Sequence, residues 1–432
     1  MRRYIFRWSP ARIIASAFGV FGVIGSILLY LPISHMPDQE ITYLDALYTA
    51  VSAMCVTGLS IVDTAEVFNS FGQTILALLI QIGGLGVSTM GAGLLLMFGR
   101  KVGIKERTLI HDTMNLGSYA GIVQLLRTLF AMTISIEIIG AILSYFVFRR
   151  DYEPMEALGL GIFHSISSFN NAGLTILSVD RSMEMYADDP FMLILTTVLV
   201  FTGGLGFIVI RECWVKRFHW ENLSMHSRAS LFVSIFLLIG GTILLKLTND
   251  ISWLVAFFSS QSARSAGYAV YPFDAWSPAG LLVMLILMFI GASVGSTGGG
   301  VKTSTIFVLV LGVWSAATHS RAEAFHYSLP PLVFRRAAVV VILAMTDVIV
   351  STFILLIACP NLTLAEAFTE MLSAFTTVGL SLGTTGSLNE WGKLISIIVM
   401  LTGRIGPMTV AMAWYFPDTT KARYPEGNIT VG

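Results

Sequence analysis

Charge is scarce in this 432-residue chain. Lys, Arg, Asp and Glu make up 12% of it, against roughly 25% in soluble domains, which excludes an ordinary soluble enzyme. The 26 basic residues balance the 26 acidic ones, so no cationic excess points to a nucleic-acid partner. Cysteine is nearly absent: Cys55, Cys213 and Cys359 are too few and too scattered for a disulfide framework or a thiolate metal site. His111, His164, His219 and the other histidines show no ligand spacing. No nucleophile–base set stands out, so neither an enzyme nor a bound cofactor is expected.

Apolar residues are what the chain has in abundance, 55% of the total. They fall in long runs at 20–31, 74–98, 129–148, 191–210, 231–245, 281–290, 339–358 and 394–414, several near the roughly 20 residues that span a bilayer. The N-terminal run follows Arg2, Arg3, Arg7 and Arg12 and continues to Pro32 without a small-residue cleavage site. It reads as a first membrane helix rather than a signal peptide. With the N-terminus inside and eight alternating spans, seventeen Lys and Arg fall on the cytoplasmic side. Six fall outside: Arg149, Arg150, Arg181, Lys246, Arg264 and Lys393. That asymmetry predicts a multi-pass protein with both termini cytoplasmic.

Overlaying the chain on itself exposes four copies of one pattern. The strings SAMCVTGL (52–59), SSFNNAGL (167–174), QSARSAGY (261–268) and SAFTTVGL (373–380) align, each after an apolar stretch too short to cross a membrane: 43–54, 157–169, 251–260 and 364–375. A second glycine motif follows in phase at 81–86, 201–206, 289–293 and 401–406. From loop glycine to motif glycine the spacing is 25 (Gly58 to Gly83), 30 (Gly173 to Gly203), 24 (Gly267 to Gly291) and 24 (Gly379 to Gly403). Glycines are common in membrane helices as packing residues, but four in phase, each after a half-helix, are not coincidence. The expected fold is all-α: four repeats of helix, pore helix, re-entrant loop and helix around a pseudo-fourfold pore, with eight transmembrane helices. The repeats are expected at 1–112, 113–224, 225–325 and 326–432, the last including the C-terminal tail.

Irregular backbone at membrane depth is tolerated only where protein buries it or it lines a watery cavity. Four half-helices ending in glycine loops therefore call for a shared aqueous axis. Their C-terminal ends are partially negative, and rings of carbonyls can replace a cation's hydration shell. The candidate filter residues are neutral: Val56, Thr57, Gly58; Asn171, Ala172, Gly173; Ser265, Ala266, Gly267; Thr377, Val378, Gly379. A divalent-cation filter would carry acidic side chains and an anion pore basic ones. Monovalent cations are the expected cargo. Arg264, one residue before the third set, is expected to point away from the axis and brace its loop.

These loops resemble the four filter loops of the Trk/Ktr/HKT superfamily of potassium transporters. Further matches lie at 81–86, 298–303, 403–407 and in the tail 422–427, so the resemblance covers essentially the whole chain. Length and span number make it most similar to the Ktr B-type membrane subunit. The resemblance implies a potassium-uptake subunit of a prokaryotic plasma membrane, often sodium-stimulated, with K+ held by filter carbonyls. It also implies a homodimer regulated by a separate cytosolic ring that binds ATP or ADP. Ser265 stands where the family commonly has Thr, and Tyr268 where Phe is usual.

Residues 291–305 interrupt the last helix of the third repeat with Gly291, Gly295, Gly298, Gly299 and Gly300, which no stable helix tolerates. Val301 separates Gly300 from Lys302, so the phosphate-loop requirement for consecutive Gly-Lys fails. In the resembling family this is a mobile loop that gates the filter from below; a static kink is the plain alternative. Arg404 sits in matching phase in the last helix. It either lines the pore beside the gating loop or pairs with a buried carboxylate, Glu137 or Asp347. Rival functions are a sodium or non-selective cation transporter of the same fold, or a coupled secondary cation symporter. The symporter class predicts two inverted halves rather than four parallel repeats.

Overall fold

The computed structural model describes residues 10–97, 103, 108, 121–177 and 183–413. Four helices in it are long and apolar enough to cross a membrane. Each opens a similar series of elements. The first series is α1 (Pro10–Tyr30), α2 (Tyr43–Cys55), the single turn α3 (Thr64–Val67), α4 (Ser70–Leu85) and α5 (Val87–Met97). The second is α6 (Ile122–Phe148), α7 (Pro154–Phe169), α8 (Pro190–Leu205) and α9 (Phe207–Val215). The third is α10 (Met225–Thr248), α11 (Trp253–Ser265), α12 (Pro278–Phe289) and α13 (Thr303–Thr318). A two-stranded hairpin, β1 (Glu323–Ala324) and β2 (Tyr327–Ser328), leads to the fourth: α14 (Pro331–Ala358), α15 (Leu364–Thr376), α16 (Glu390–Ile405) and α17 (Pro407–Ala413).

Local chemistry repeats with the elements. The helix that follows each loop starts on a side-chain cap at the same place: Asn69 for α4, Asp189 for α8, Ser277 for α12 and Asn389 for α16. Each satisfies backbone N–H groups that the first turn leaves unpaired. The short helices α2, α11 and α15 have 13 residues each, about 20 Å at 1.5 Å per residue, well short of the hydrocarbon core. Thr42, Ser252 and Thr363 cap them.

Close packing of these short helices on the long ones uses small residues, as membrane helix pairs do. Gly140 of α6 lies against Ser165 of α7, and Gly241 of α10 lies against Ser260 of α11. The serines close the contact by donating to backbone oxygens one turn earlier, Ser165 to Glu137 O at 2.7 Å and Ser260 to Leu238 O at 3.0 Å. On the other side of α6 an exposed stripe, Ile134, Ile138, Ile142 and Phe146, recurs at helical spacing. Such a face suits lipid and not water. Between the first and fourth series, Lys393 and Asp45 form an ion pair at 2.6 Å and Tyr48 meets Ser396 at 3.1 Å.

The interruption expected in the third repeat is present between Phe289 and Thr303, and the final helix of each of the other series breaks as well. Gly86, Gly206 and Gly406 end α4, α8 and α16 at φ +85, +90 and +94, and α8 meets α9 at 98°. With φ positive and ψ between 135 and 141, these positions admit little but glycine.

Candidate functional site

The four loops that follow the short helices meet at one place. A β-carbon added to Gly58 would strike Ala172 O; on Gly173 it would strike Ala266 O, on Gly267 Val378 O, and on Gly379 Thr57 O. Each loop thus sets its glycine against the carbonyl that precedes the glycine of the next loop, and the fourth returns to the first. All four glycines have positive φ, between +67 and +98, so both conformation and neighbour forbid a side chain. The candidate filter residues Val56, Thr57, Gly58, Asn171, Ala172, Gly173, Ser265, Ala266, Gly267, Thr377, Val378 and Gly379 are brought together by this cycle. Val56 is buried in an apolar cluster with Met54 and Ala172. Thr57 Oγ1 and Thr377 Oγ1 are buried with no hydrogen-bond partner among the described residues.

The third loop differs from the others, which sequence alignment alone concealed. Val56, Asn171 and Thr377 take the left-handed conformation at φ +58, +61 and +53. The amides that follow reach back five residues: Thr57 N to Ser52 O at 2.8 Å, Ala172 N to Ser167 O at 2.8 Å and Val378 N to Ser373 O at 3.1 Å. In the third loop α11 continues through Ser265, Ala266 has φ −118, and the same bond is made by Gly267 N to Ser262 O at 3.0 Å. The helix therefore runs one residue further. Arg264 accompanies this offset. It is buried and donates to Ser234 O and Gly291 O at 3.3 Å each, bracing the loop as expected.

Below the loops, carbonyls at the ends of the short helices press on the glycines of the helices that follow. Met54 O lies against Gly83, Phe169 O against Gly203 and Phe375 O against Gly403. In the third series Gly291 faces Gly299 instead, because residues 291–302 fold back beneath the loops. Ser293 N bonds Gly204 O at 2.9 Å, Phe207 N bonds Gly295 O at 3.0 Å, and Thr297 Oγ1 donates to Phe169 O at 3.2 Å. A side chain on Gly298 would meet Ser265 Cβ at 2.9 Å, and one on Gly299 would meet Thr376 O at 2.8 Å. Gly300 has φ +73 and abuts Gly291 Cα. Lys302 turns inward on its own segment, donating to Gly298 O at 2.7 Å. The irregular segment thus lies directly under the loop cycle.

Arg404 answers neither buried carboxylate. Its guanidinium donates to Thr297 O, to Gly83 O and, at 3.2 Å, to Gly84 O. It therefore ties the irregular segment to the end of α4. Glu137 instead receives Asn170 Nδ2 at 3.1 Å and Gln81 Nε2 at 3.3 Å, and Asp347 accepts from Thr402 at 2.8 Å. The tail 422–432 and the basic positions Arg100, Lys101, Lys105 and Arg107 lie outside the described residues. No cluster of metal-ligating side chains occurs among the described residues.

Sequence reasoning missed Glu370 and placed Ser293 and Thr297 in the segment 291–305 without a role of their own. It also left the glycines of the helix breaks without a role. Their signal was present: Gly83 and Gly86, Gly203 and Gly206, and Gly403 and Gly406 share one spacing. Glu370, an ionisable residue inside a short apolar helix, is the kind that membrane burial marks by default.

The family model described as TrkH, cation transport protein, matches residues 9–227 and 220–420. The chain is 34% identical over 447 residues to Ktr system potassium uptake protein B of Bacillus subtilis, covering 99% of this chain and 97% of that protein. It is 33% identical over 446 residues to the potassium/sodium uptake protein NtpJ of Enterococcus hirae, covering 99% and 98%. The crystal structure of the potassium transporter TrkH from Vibrio parahaemolyticus superposes with a TM-score of 0.75 at 20% identity, over 95% of this chain and 86% of that one. That last likeness concerns the fold.

Proposed function

The chain belongs to the TrkH family of cation transport proteins, and from that premise we propose that it carries potassium into the cell through the axis at which its four loops meet. The observation that supports this reading best is the closed cycle of glycine–carbonyl contacts, 58 to 172, 173 to 266, 267 to 378 and 379 to 57. Carbonyls held around one axis replace a cation's hydration shell without placing fixed charge in its path. The absence of acidic side chains among the twelve filter residues favours monovalent over divalent ions. The buried hydroxyls of Thr57 and Thr377, without a hydrogen-bond partner among the described residues, add oxygen ligands beside the carbonyls.

The architecture in this proposal is four repeats and eight membrane crossings, with bounds at 1–112, 113–224, 225–325 and 326–432. Each closing helix crosses in two broken pieces. Residues 291–305 act as the gate, with Arg404 as its latch: the guanidinium satisfies carbonyls on both the loop and α4, so releasing it frees the segment. The protein resides in a prokaryotic plasma membrane with both termini inside, by the basic-residue asymmetry. It works as a homodimer docked on a cytosolic ring that binds adenine nucleotides, since no nucleotide fingerprint occurs in this chain. Purified protein in liposomes, given external potassium, rubidium or sodium, tests the central claim. Potassium and rubidium should enter well ahead of sodium. Equal entry of all three would replace it with a non-selective cation pathway, and no entry would remove the channel-like reading.

A further inference from the structure

Glu370 has no role in the mechanism above, yet it is fully buried in α15, nine residues before Gly379. Its equivalents by that count are Thr49, His164 and Phe258, so the fourth repeat alone puts a carboxylate there. The carboxylate accepts three hydroxyls from the segment just outside the fourth loop. Ser381 Oγ donates to Oε2 at 2.7 Å, Thr384 Oγ1 to Oε2 at 3.0 Å and Thr385 Oγ1 to Oε1 at 2.8 Å. Ser381 Oγ also accepts the Thr384 amide at 3.2 Å, which closes the turn around exposed Gly383. No ion pair to Glu370 occurs among the described residues.

Burying a carboxylate is costly unless hydrogen bonds compensate, and hydroxyls bound to an ionised acceptor form stronger bonds than neutral pairs. Among the described residues all the compensating hydrogen bonds come from residues 381–385, which follow Gly379 and Leu380 directly. The first of the three hydroxyls is only two residues from Gly379, so backbone slack between brace and carbonyl is at most about 7 Å of chain. Inside the loop Ser373 Oγ accepts Gly379 N at 2.9 Å, so the glycine is held from both sides.

We propose that Glu370 is a positioning residue which clamps the outer end of the fourth loop and thereby sets the discrimination between potassium and sodium. The proposal rests on the reading of the loops as the filter. It acts through backbone geometry: freeing 381–385 lets Val378 O and Gly379 relax, and a softer carbonyl ring fits the smaller ion better.

The test measures relative sodium and potassium uptake in liposomes for Glu370→Ala, Glu370→Gln, Ser381→Ala and Thr385→Ala, with Gly58→Ala in the first loop alongside. Expected are a drop of about tenfold in potassium preference for Glu370→Ala, the equivalent of losing one strong bond, and partial drops for the two hydroxyl variants. Glu370→Gln, which keeps an acceptor oxygen, should lie between Glu370→Ala and wild type. Unchanged preference in Glu370→Ala, Ser381→Ala and Thr385→Ala overturns the proposal, even if uptake falls with protein abundance. If Glu370→Ala does not reach the membrane, the two hydroxyl variants decide by the same criterion. Should Gly58→Ala also keep its preference, the filter reading fails with it; altered preference in Gly58→Ala alone removes only the role of Glu370.

Discussion

Replacing Gly267 with Ala tests the loop cycle at the joint between its third and fourth loops. The residue sits at φ +73, and a β-carbon there would collide with Val378 O while standing 2.8 Å from Val378 C and 3.0 Å from Gly379 Cα. Carbon contacts relax near 3.5–4.0 Å, so the fourth loop must retreat by about 1 Å. The left-handed conformation adds about 1–2 kcal/mol for a residue with a β-carbon. If the displaced carbonyl stops serving the ion, the loss resembles one charge-assisted hydrogen bond, about 1.5–3 kcal/mol. Potassium preference over sodium should then fall about ten- to hundredfold. Gly121 is the control, since it has φ +75 but nothing within 4 Å of an added β-carbon; Gly121→Ala should lose stability and keep preference. The assay is rubidium uptake into liposomes with sodium as competitor, normalised to inserted protein. If Gly267→Ala discriminates as well as Gly121→Ala, the carbonyl cycle is not the discriminating element.

Arg404→Ala removes every bond between the guanidinium and the carbonyls of Thr297, Gly83 and Gly84. Basal potassium flux should rise, as it should on shortening 294–300, and equal or lower flux in both would favour a static loop. Lys393→Met strands Asp45, whose ion pair at 2.6 Å is largely buried; unfolding in detergent should weaken by about 3 kcal/mol, with much of that recovered when Asp45→Asn is added. A lack of recovery would mean that the pair does not join the first and fourth series. The partner proposal predicts a dimer in mild detergent and an ATP response only when a second, cytosolic polypeptide is supplied. A monomer, or full ATP control of the purified chain, would contradict it.

Several features could be read before any coordinates. Scarce charge and long apolar runs identify a membrane protein, because hydrocarbon excludes unpaired charge whatever the fold. The phase of Gly58, Gly173, Gly267 and Gly379 locates the loops, since positive φ beside a neighbouring backbone demands glycine locally. The non-enzymatic reading agrees with relatives that are transport proteins. Arg264 was expected to turn away from the loop axis, and its guanidinium bonds Ser234 O and Gly291 O.

What remained hidden depends on which chain segments become neighbours. Arg404 could have paired with Glu137 or Asp347 by any argument from type and depth; only the folded chain puts Thr297 O and Gly83 O closer. The one-residue extension of α11 leaves no mark in an alignment, because QSARSAGY and SSFNNAGL overlay without a gap. The order of the cycle, first loop to second, third, fourth and back, is likewise invisible. Backbone carbonyls carry no residue-type signature, so which oxygen meets which glycine is settled only when four distant segments close on one another.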